Sequence, residues 1–163
     1  MQTKEEIELS YRDGDAWDFE TNAEDARRKR YILHVLRLFG PFERALDIGC
    51  GQGFLTRDLP AEEIHGFEIS DNAASRLPQN VKRVLEPEGK YDLVTACGIM
   101  YSHYDHELFV RLIREHSSGT VLLCNIASWE LSEAVSEVSG KQVFTAFFPY
   151  RTWSQALRIF KIK

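Results

Sequence analysis

Ala45-Leu46-Asp47-Ile48-Gly49-Cys50-Gly51-Gln52-Gly53-Phe54 is the stretch that decides the fold. Leu46 and Ile48 predict a buried strand, and Gly49, Gly51 and Gly53 follow as a turn whose backbone can approach a ligand without Cβ atoms in the way. The helical spacing of Phe54-Leu55-Thr56-Arg57-Asp58-Leu59, stopped at Pro60, predicts that the turn opens a helix with free N–H groups facing the ligand. Ile64-His65-Gly66-Phe67-Glu68-Ile69 reads as a second strand ending in an acid, about twenty residues after the first glycine, where a carboxylate can take two ribose hydroxyls.

The spacing also separates one nucleotide from another. A dinucleotide fingerprint has G-x-G-x-x-G with the pyrophosphate on a helix N-terminus. Here the glycines alternate, Phe54 follows the third, and Asp47 stands just before the first. An acid there repels a diphosphate and attracts an ammonium, so the ligand expected is an adenosine that carries an amino acid. With these residues the chain resembles the class I S-adenosylmethionine-dependent methyltransferases. That resemblance implies S-adenosyl-L-methionine as cofactor and S-adenosyl-L-homocysteine as product. It implies a cofactor site of Asp47, Gly49, Cys50, Gly51, Gly53, Phe54, Glu68, Ile69 and Cys97. Many relatives hold the adenine amino group with an acid after the third strand. This chain reads Val84-Leu85-Glu86-Pro87-Glu88-Gly89 there, which makes Glu86 the candidate.

Strands alternate with helices along the remainder, the pattern of a parallel sheet covered on both sides. Glu24 to Phe39 is amphipathic, with Tyr31, Ile32, Val35, Leu36 and Phe39 on one face and Arg27-Arg28-Lys29-Arg30 mostly on the other. Ser70-Asp71 caps a short helix through Leu77. Val81–Leu85, Tyr91–Cys97 and Thr120–Ile126 are the third, fourth and fifth strands, with helices at Leu108–Glu115 and Ser128–Val138. Gln142–Phe148 and Gln155–Lys163 alternate as two strands around a turn at Pro149 to Ser154. The expected fold is α/β: a Rossmann-like, doubly wound, mainly parallel seven-stranded sheet with a C-terminal antiparallel hairpin and helices on both faces. In the methyltransferase sheet, which this pattern resembles, the last strand inserts between its two predecessors. One domain is expected over residues 1–163, with a lid segment at 1–23 and the core with its leading helix at 24–163. Asp15 to Asn22 and the helix after it are similar to the N-terminus of small NodS-like N-methyltransferases.

Composition narrows the function classes. Hydrophobic residues make up 44% and charged residues 28% of 163, ordinary for a globular enzyme. No run approaches the roughly 20 apolar residues of a membrane span. The start Met1-Gln2-Thr3-Lys4-Glu5-Glu6 is charged, which predicts no secretory signal and a cytoplasmic protein. Cys50, Cys97 and Cys124 form no C-x-x-C pair and are expected to be reduced. The net charge of −5 argues against a nucleic-acid duplex as the main substrate.

A sulfonium makes its methyl group electrophilic, so the protein must align an acceptor lone pair and manage one proton. His103, on the loop after the fourth strand beside Tyr101, Tyr104 and Asp105, is the candidate base, with Tyr101 as its catalytic companion. A surface or capping role for His103 is the alternative. His103 and His106 lack an evident third ligand, so no metal is expected. Trp17, Tyr104 and Tyr150 are expected to wall the substrate pocket. The basic run at Arg27 to Arg30 reads as a solvated helix face balanced by Glu24 and Asp25, with an RNA contact as its rival. Little chain remains for a substrate domain, so the acceptor site should be built from the N-terminal segment, the loop Cys97 to Tyr104 and the final hairpin. The expected function is methyl transfer to a nitrogen or oxygen of a small molecule. The alternatives are an RNA or protein methyltransferase and a non-catalytic cofactor-binding partner subunit.

Overall fold

Seven strands share one sheet in the computed structural model, which describes residues 1–138 and 140–162. β1 (Phe42–Ile48), β2 (Ala61–Phe67), β3 (Val81–Val84), β4 (Tyr91–Cys97) and β5 (Ser117–Ile126) pair in parallel, while β6 (Lys141–Tyr150) and β7 (Trp153–Lys161) pair antiparallel. The order β3-β2-β1-β4-β5-β7-β6 places the last strand between β5 and β6, as expected. Strand order reverses between β1 and β4, and in an open α/β sheet that reversal opens a crevice at the carboxyl ends of the strands.

Among the described residues five α-helices accompany the sheet: α1 (Lys4–Ser10), α2 (Ala23–Arg37), α3 (Asp71–Ala74), α4 (His106–His116) and α5 (Ser132–Ser136). The period of two in the strands sorts the apolar residues onto two faces. Leu46, Ile48, Val94 and Ala96 pack with Phe109 and Ile113 of α4 and Val135 of α5. Ala45, Leu93, Leu122 and Cys124 pack on the other side with Ile32, Leu33, Val35 and Leu36 of α2. Each fully buried aliphatic side chain stabilises the sheet by about 1.5–3 kcal/mol. Asn22 starts α2 by accepting the N–H groups of Glu24 (2.8 Å) and Asp25 (3.4 Å) at its side-chain oxygen. Tyr31 sits at the edge of that stripe, half-exposed, with its ring 4.7 Å from Phe148.

Several boundaries differ from the sequence reading. The helix expected at Phe54–Leu59 is only a 3₁₀ turn, Thr56–Asp58. Pro60 disfavours a helical conformation at the residue before it, and Leu59 is extended at ψ 137°, which leaves too few residues for an α-helix. No fan of helical N–H groups therefore faces the glycine turn. The helix expected at Ser128–Val138 shortens to α5, which frees Trp129 for a loop, and the helix from Ser70 ends at Ala74. The hairpin turn is tighter than expected: Tyr150 pairs with Trp153, leaving only Arg151-Thr152 between them. Lys163, the expected end of the last strand, lies outside the described residues.

Gly53 is a packing position. At φ +82°, a Cβ there would stand 2.7 Å from Cδ of Pro78 and 3.2 Å from Cδ2 of Leu77. Gly53→Ala is expected to destabilise the fold by about 1–3 kcal/mol through left-handed strain and that clash. A denaturant midpoint identical to wild type would contradict it.

Candidate active site

β1 and β2 deliver the two acids of the crevice. Asp47 is buried, and its two oxygens accept the hydroxyls of Thr56 and Thr95, each at 2.6 Å. Thr95 is its neighbour in the β1–β4 register, so pairing of the strands positions the contact. Burial pushes the Asp47 carboxyl up to about 6, so near neutrality it is poised to gain from a cationic partner. Glu68 follows the last residue of β2. Its Oε2 accepts the Gly51 N–H at 2.9 Å and its Oε1 accepts the Ser70 N–H at 2.8 Å, and burial raises its pKa. Each oxygen keeps a lone pair for a further donor.

The crevice is divided into two chambers. The larger, about 290 Å³, takes Asp47, Cys50, Gly51, Phe54 and Cys97 into its walls. The smaller, about 70 Å³, is walled by Glu68 and Ile69, with Phe67 and Phe109 as apolar sides. Gly49 borders both, as do Tyr11, Trp17, Ile99 and Tyr104. A Cβ on Gly51 would stand 2.9 Å from the Tyr11 hydroxyl, so only glycine lets another group lie this close to the turn. The chemistry of the wall fits S-adenosylmethionine: two buried acids able to take further donors stand on either side of a turn whose backbone leaves room between them. Two residues expected at the cofactor are not brought to it. Gly53 packs on Pro78 and borders neither chamber. Glu86 is exposed beyond both chambers, because the next residue, Pro87, turns inward and directs it to solvent.

A cover closes the crevice. α1 starts with a capping box, in which Thr3 accepts the Glu6 N–H at 3.2 Å and Glu6 accepts the Thr3 N–H at 2.8 Å. Glu8 of this helix accepts the N–H groups of Asp71 (2.5 Å) and Asn72 (3.0 Å) at the start of α3, which holds its pKa below the usual carboxylate range. The following segment is fastened along its length. Arg76 donates to the Tyr11 carbonyl at 2.6 Å, Gln52 to that of Gly14 at 2.6 Å, and Arg151 to that of Trp17 at 2.7 Å. Arg57 grips the Glu20 carboxylate with two bonds of 2.7 and 2.8 Å. Most of these contacts are exposed, the Gln52 and Asn72 bonds being part-buried, and each is weak enough to break singly. The segment 11–22 is expected to open without ligand and to become protease-resistant on S-adenosylhomocysteine binding. Equal cleavage rates in limited proteolysis, with and without ligand, would contradict a lid.

The loop after β4 forms the opposite wall. His103 stacks on Tyr101 (5.5 Å between centroids) and lies 4.3 Å from the Tyr104 ring, and its carbonyl accepts the Gln2 N–H at 2.7 Å. Burial, and after it the nearby N-terminal ammonium, hold the imidazole below its ordinary pKa, which favours the neutral ring. The Tyr101 hydroxyl accepts the Ile126 N–H at 2.8 Å, and burial pushes the phenol up, which leaves its proton available to donate. Tyr150 donates to Asp25 at 2.8 Å. Among the described residues no group of three or more His, Cys, Asp or Glu is arranged for a metal ion.

Sequence reasoning misplaced part of the basic run. Asp25 is fully buried, the Arg28 side chain is 10% exposed, and Arg28 borders the larger chamber. Lys29 is nearly as buried, reaching the Phe54 carbonyl and Asp58. Arg28 and Lys29 thus face inward, because their partners come from the hairpin and the segment after the glycine turn, while Arg27 and Arg30 stay exposed. Trp129 and Trp153, with rings 5.1 Å apart, also border the chamber, and an amphipathic reading of the local sequence had no signal for Trp129.

A sheet of this order, with an alternating-glycine turn after β1 and a buried acid after β2, defines a class I S-adenosylmethionine-dependent methyltransferase. The chain belongs to the family described as a methyltransferase domain, whose model matches residues 23–158. A comparison with curated protein sequences finds no match. Among solved structures it is similar to the N-methyltransferase NodS from Bradyrhizobium japonicum WM9 in complex with S-adenosylhomocysteine. That likeness has a TM-score of 0.81 at 13% identity, covering 98% of this chain and 97% of that one. It is also similar to magnesium protoporphyrin IX methyltransferase from Synechocystis PCC 6803 with bound S-adenosylmethionine, at a TM-score of 0.71 and 15% identity, covering 100% and 99%. At these identities the likeness is one of fold. No helix among the described residues is long and apolar enough to cross a membrane.

Proposed function

We propose that this methyltransferase acts in the cytoplasm on a nitrogen or oxygen of a small molecule held in the larger chamber. The observation that carries this reading is the chamber itself: about 290 Å³, walled by aromatic rings and roofed by the segment around Trp17. When bound, S-adenosylmethionine supplies a methyl group on a sulfonium, so alignment and proton removal are what the protein must add.

Glu68 would take the ribose hydroxyls and Asp47 the ammonium, with Gly49, Cys50, Gly51, Phe54, Ile69 and Cys97 as the remaining contacts. His103, neutral and on the wall facing the glycine turn, accepts the proton of the acceptor. Tyr101 orients the acceptor by donating its phenolic proton, its oxygen being occupied by the Ile126 N–H. Trp17, Tyr104 and Tyr150 exclude water. A screen of methyl transfer from labelled S-adenosylmethionine against amines, hydroxyl compounds, tRNA and peptides tests the reading. Label in a small molecule supports it. Label only in tRNA or peptide contradicts it, and cofactor binding with no transfer to any class would point to a partner subunit.

A further inference from the structure

Gln155 is a buried amide whose nitrogen has nothing to bind. It is the third residue of β7 and only 1% exposed, yet it borders the larger chamber. Its Oε1 accepts the Cys124 thiol at 3.2 Å, which turns the oxygen toward β5 and leaves the nitrogen for the chamber. Neither N–H of Nε2 has a partner among the described residues, and the nitrogen touches the open space of the chamber instead of being sealed from it. An amide nitrogen donates two hydrogen bonds and accepts none, so the group that completes it is an acceptor. In an apolar recess such a donor costs free energy until that group arrives.

Strand register fixes what surrounds the donor. Gln155 pairs with Ile126 at the end of β5, and Trp153, two residues earlier in β7, stands on the same face. Trp129 follows β5, with its ring 5.1 Å from that of Trp153 and 5.9 Å from that of Tyr101 in T-shaped contact. These rings make an apolar corner around one polar group. In the sheet order β7 is three strands from β1, which at about 4.8 Å per strand puts the corner roughly 14 Å from the strand that carries the glycine turn. The cation beside the corner is engaged: Arg151 holds Asp25 and the Trp17 carbonyl. Arg28 lines the same chamber as Asp47 and the glycine turn and is left to the amino-acid end of the cofactor. An anion in the corner would lose its water for a single amide donor, so a flat, uncharged body suits it.

We propose that the methyl acceptor is a compact, uncharged aromatic compound that presents a carbonyl oxygen or ring nitrogen to Nε2 of Gln155 while its ring lies against Trp129 and Trp153. This deepens the small-molecule reading above and rests on it. Gln155 is then the specificity-determining residue: it fixes one edge of the ring, and the nitrogen or oxygen to be methylated, on another edge, is turned toward the loop that carries His103.

Protein saturated with S-adenosylhomocysteine is titrated calorimetrically with three probes of one size: 3-hydroxyacetophenone, which carries a neutral carbonyl, 3-isopropylphenol, which lacks it, and 3-hydroxybenzoate, which is an anion. The ketone should bind wild type more tightly than the anion does. The ratio of ketone to isopropylphenol affinity should fall by about 3- to 10-fold in Gln155→Met, the worth of one hydrogen bond, while S-adenosylhomocysteine affinity stays within about 3-fold. A residue that only packs would weaken both neutral probes alike and leave the ratio where it was. If Gln155→Met does not fold, Gln155→Glu keeps the shape and the acceptor for the Cys124 thiol, removes the donor, and should lower the same ratio. An unchanged ratio in the folded variant, tighter binding of 3-hydroxybenzoate than of the ketone by wild type, or no binding of any probe overturns the proposal and leaves the methyltransferase reading intact. Failure of wild type to bind S-adenosylhomocysteine would instead remove the reading beneath it.

Discussion

Asp25→Ala is expected to cost about 3–5 kcal/mol of folding stability, the penalty of leaving buried positive charge without its carboxylate. Asp25 is fully buried at the N-terminal end of α2 and receives Tyr150 and Arg151 from the hairpin. Losing it leaves the buried Arg28 uncompensated and unties the hairpin from α2. The Arg151 side would suffer most in geometry, since Arg151 sits at φ +50°, a left-handed conformation that side chains rarely adopt and that its contacts with Asp25 and the Trp17 carbonyl hold in place. Chemical denaturation of wild type, Asp25→Ala and Asp25→Ala/Arg28→Met measures this. The double variant should recover part of the loss, because it removes one of the stranded charges. A single variant within about 0.5 kcal/mol of wild type would show that the cluster contributes nothing to the fold.

His103→Ala is expected to lower kcat by about 10²-fold or more, the contribution of a positioned general base, with cofactor affinity nearly unchanged. The sign of the pH effect follows from its environment. Burial and the N-terminal ammonium favour the neutral ring, so the acid limb of kcat/KM in wild type should lie below the ordinary imidazole value of about 6.5. Activity is then full above that limb and lost as pH falls through it. In His103→Ala the limb should disappear, and an amine acceptor should regain rate as pH rises and the amine loses its proton unaided. Tyr101→Phe should cost less, because the Ile126 N–H loses an acceptor while the ring remains. Wild-type rates in both variants across pH would mean that the loop only shapes the pocket.

What the sequence made legible here is what local rules control. The glycine turn, the acid after β2 and the strand alternation depend on residues adjacent in the chain, and the resemblance they carry supplied the strand order. Gly53 belonged to the same pattern yet serves Pro78, since nothing in an alternating-glycine motif distinguishes a ligand contact from a close packing contact. Glu86 occupied a family position, but the buried Pro87 after it decides its direction. Arg28 was hidden inside a run of four basic residues, and the group that reveals its role, Tyr150, meets Asp25 across a separation of 125 residues. No periodicity in α2 reports that contact. The α1 helix was missed although Thr3-Lys4-Glu5-Glu6 carries a capping box, and its docking on α3 follows only from the later carboxylate, Glu8.

The central claim is that the glycine turn and Glu68 form a site for S-adenosylmethionine. The direct measurement is calorimetric titration of wild type and Glu68→Ala with S-adenosylhomocysteine and with NAD. Wild type should bind S-adenosylhomocysteine and not NAD, and Glu68→Ala should weaken that binding by about 1–3 kcal/mol, the cost of leaving the ribose hydroxyls and the Gly51 N–H without their acceptor. Unchanged affinity in Glu68→Ala, or tighter binding of NAD than of S-adenosylhomocysteine by wild type, would contradict it.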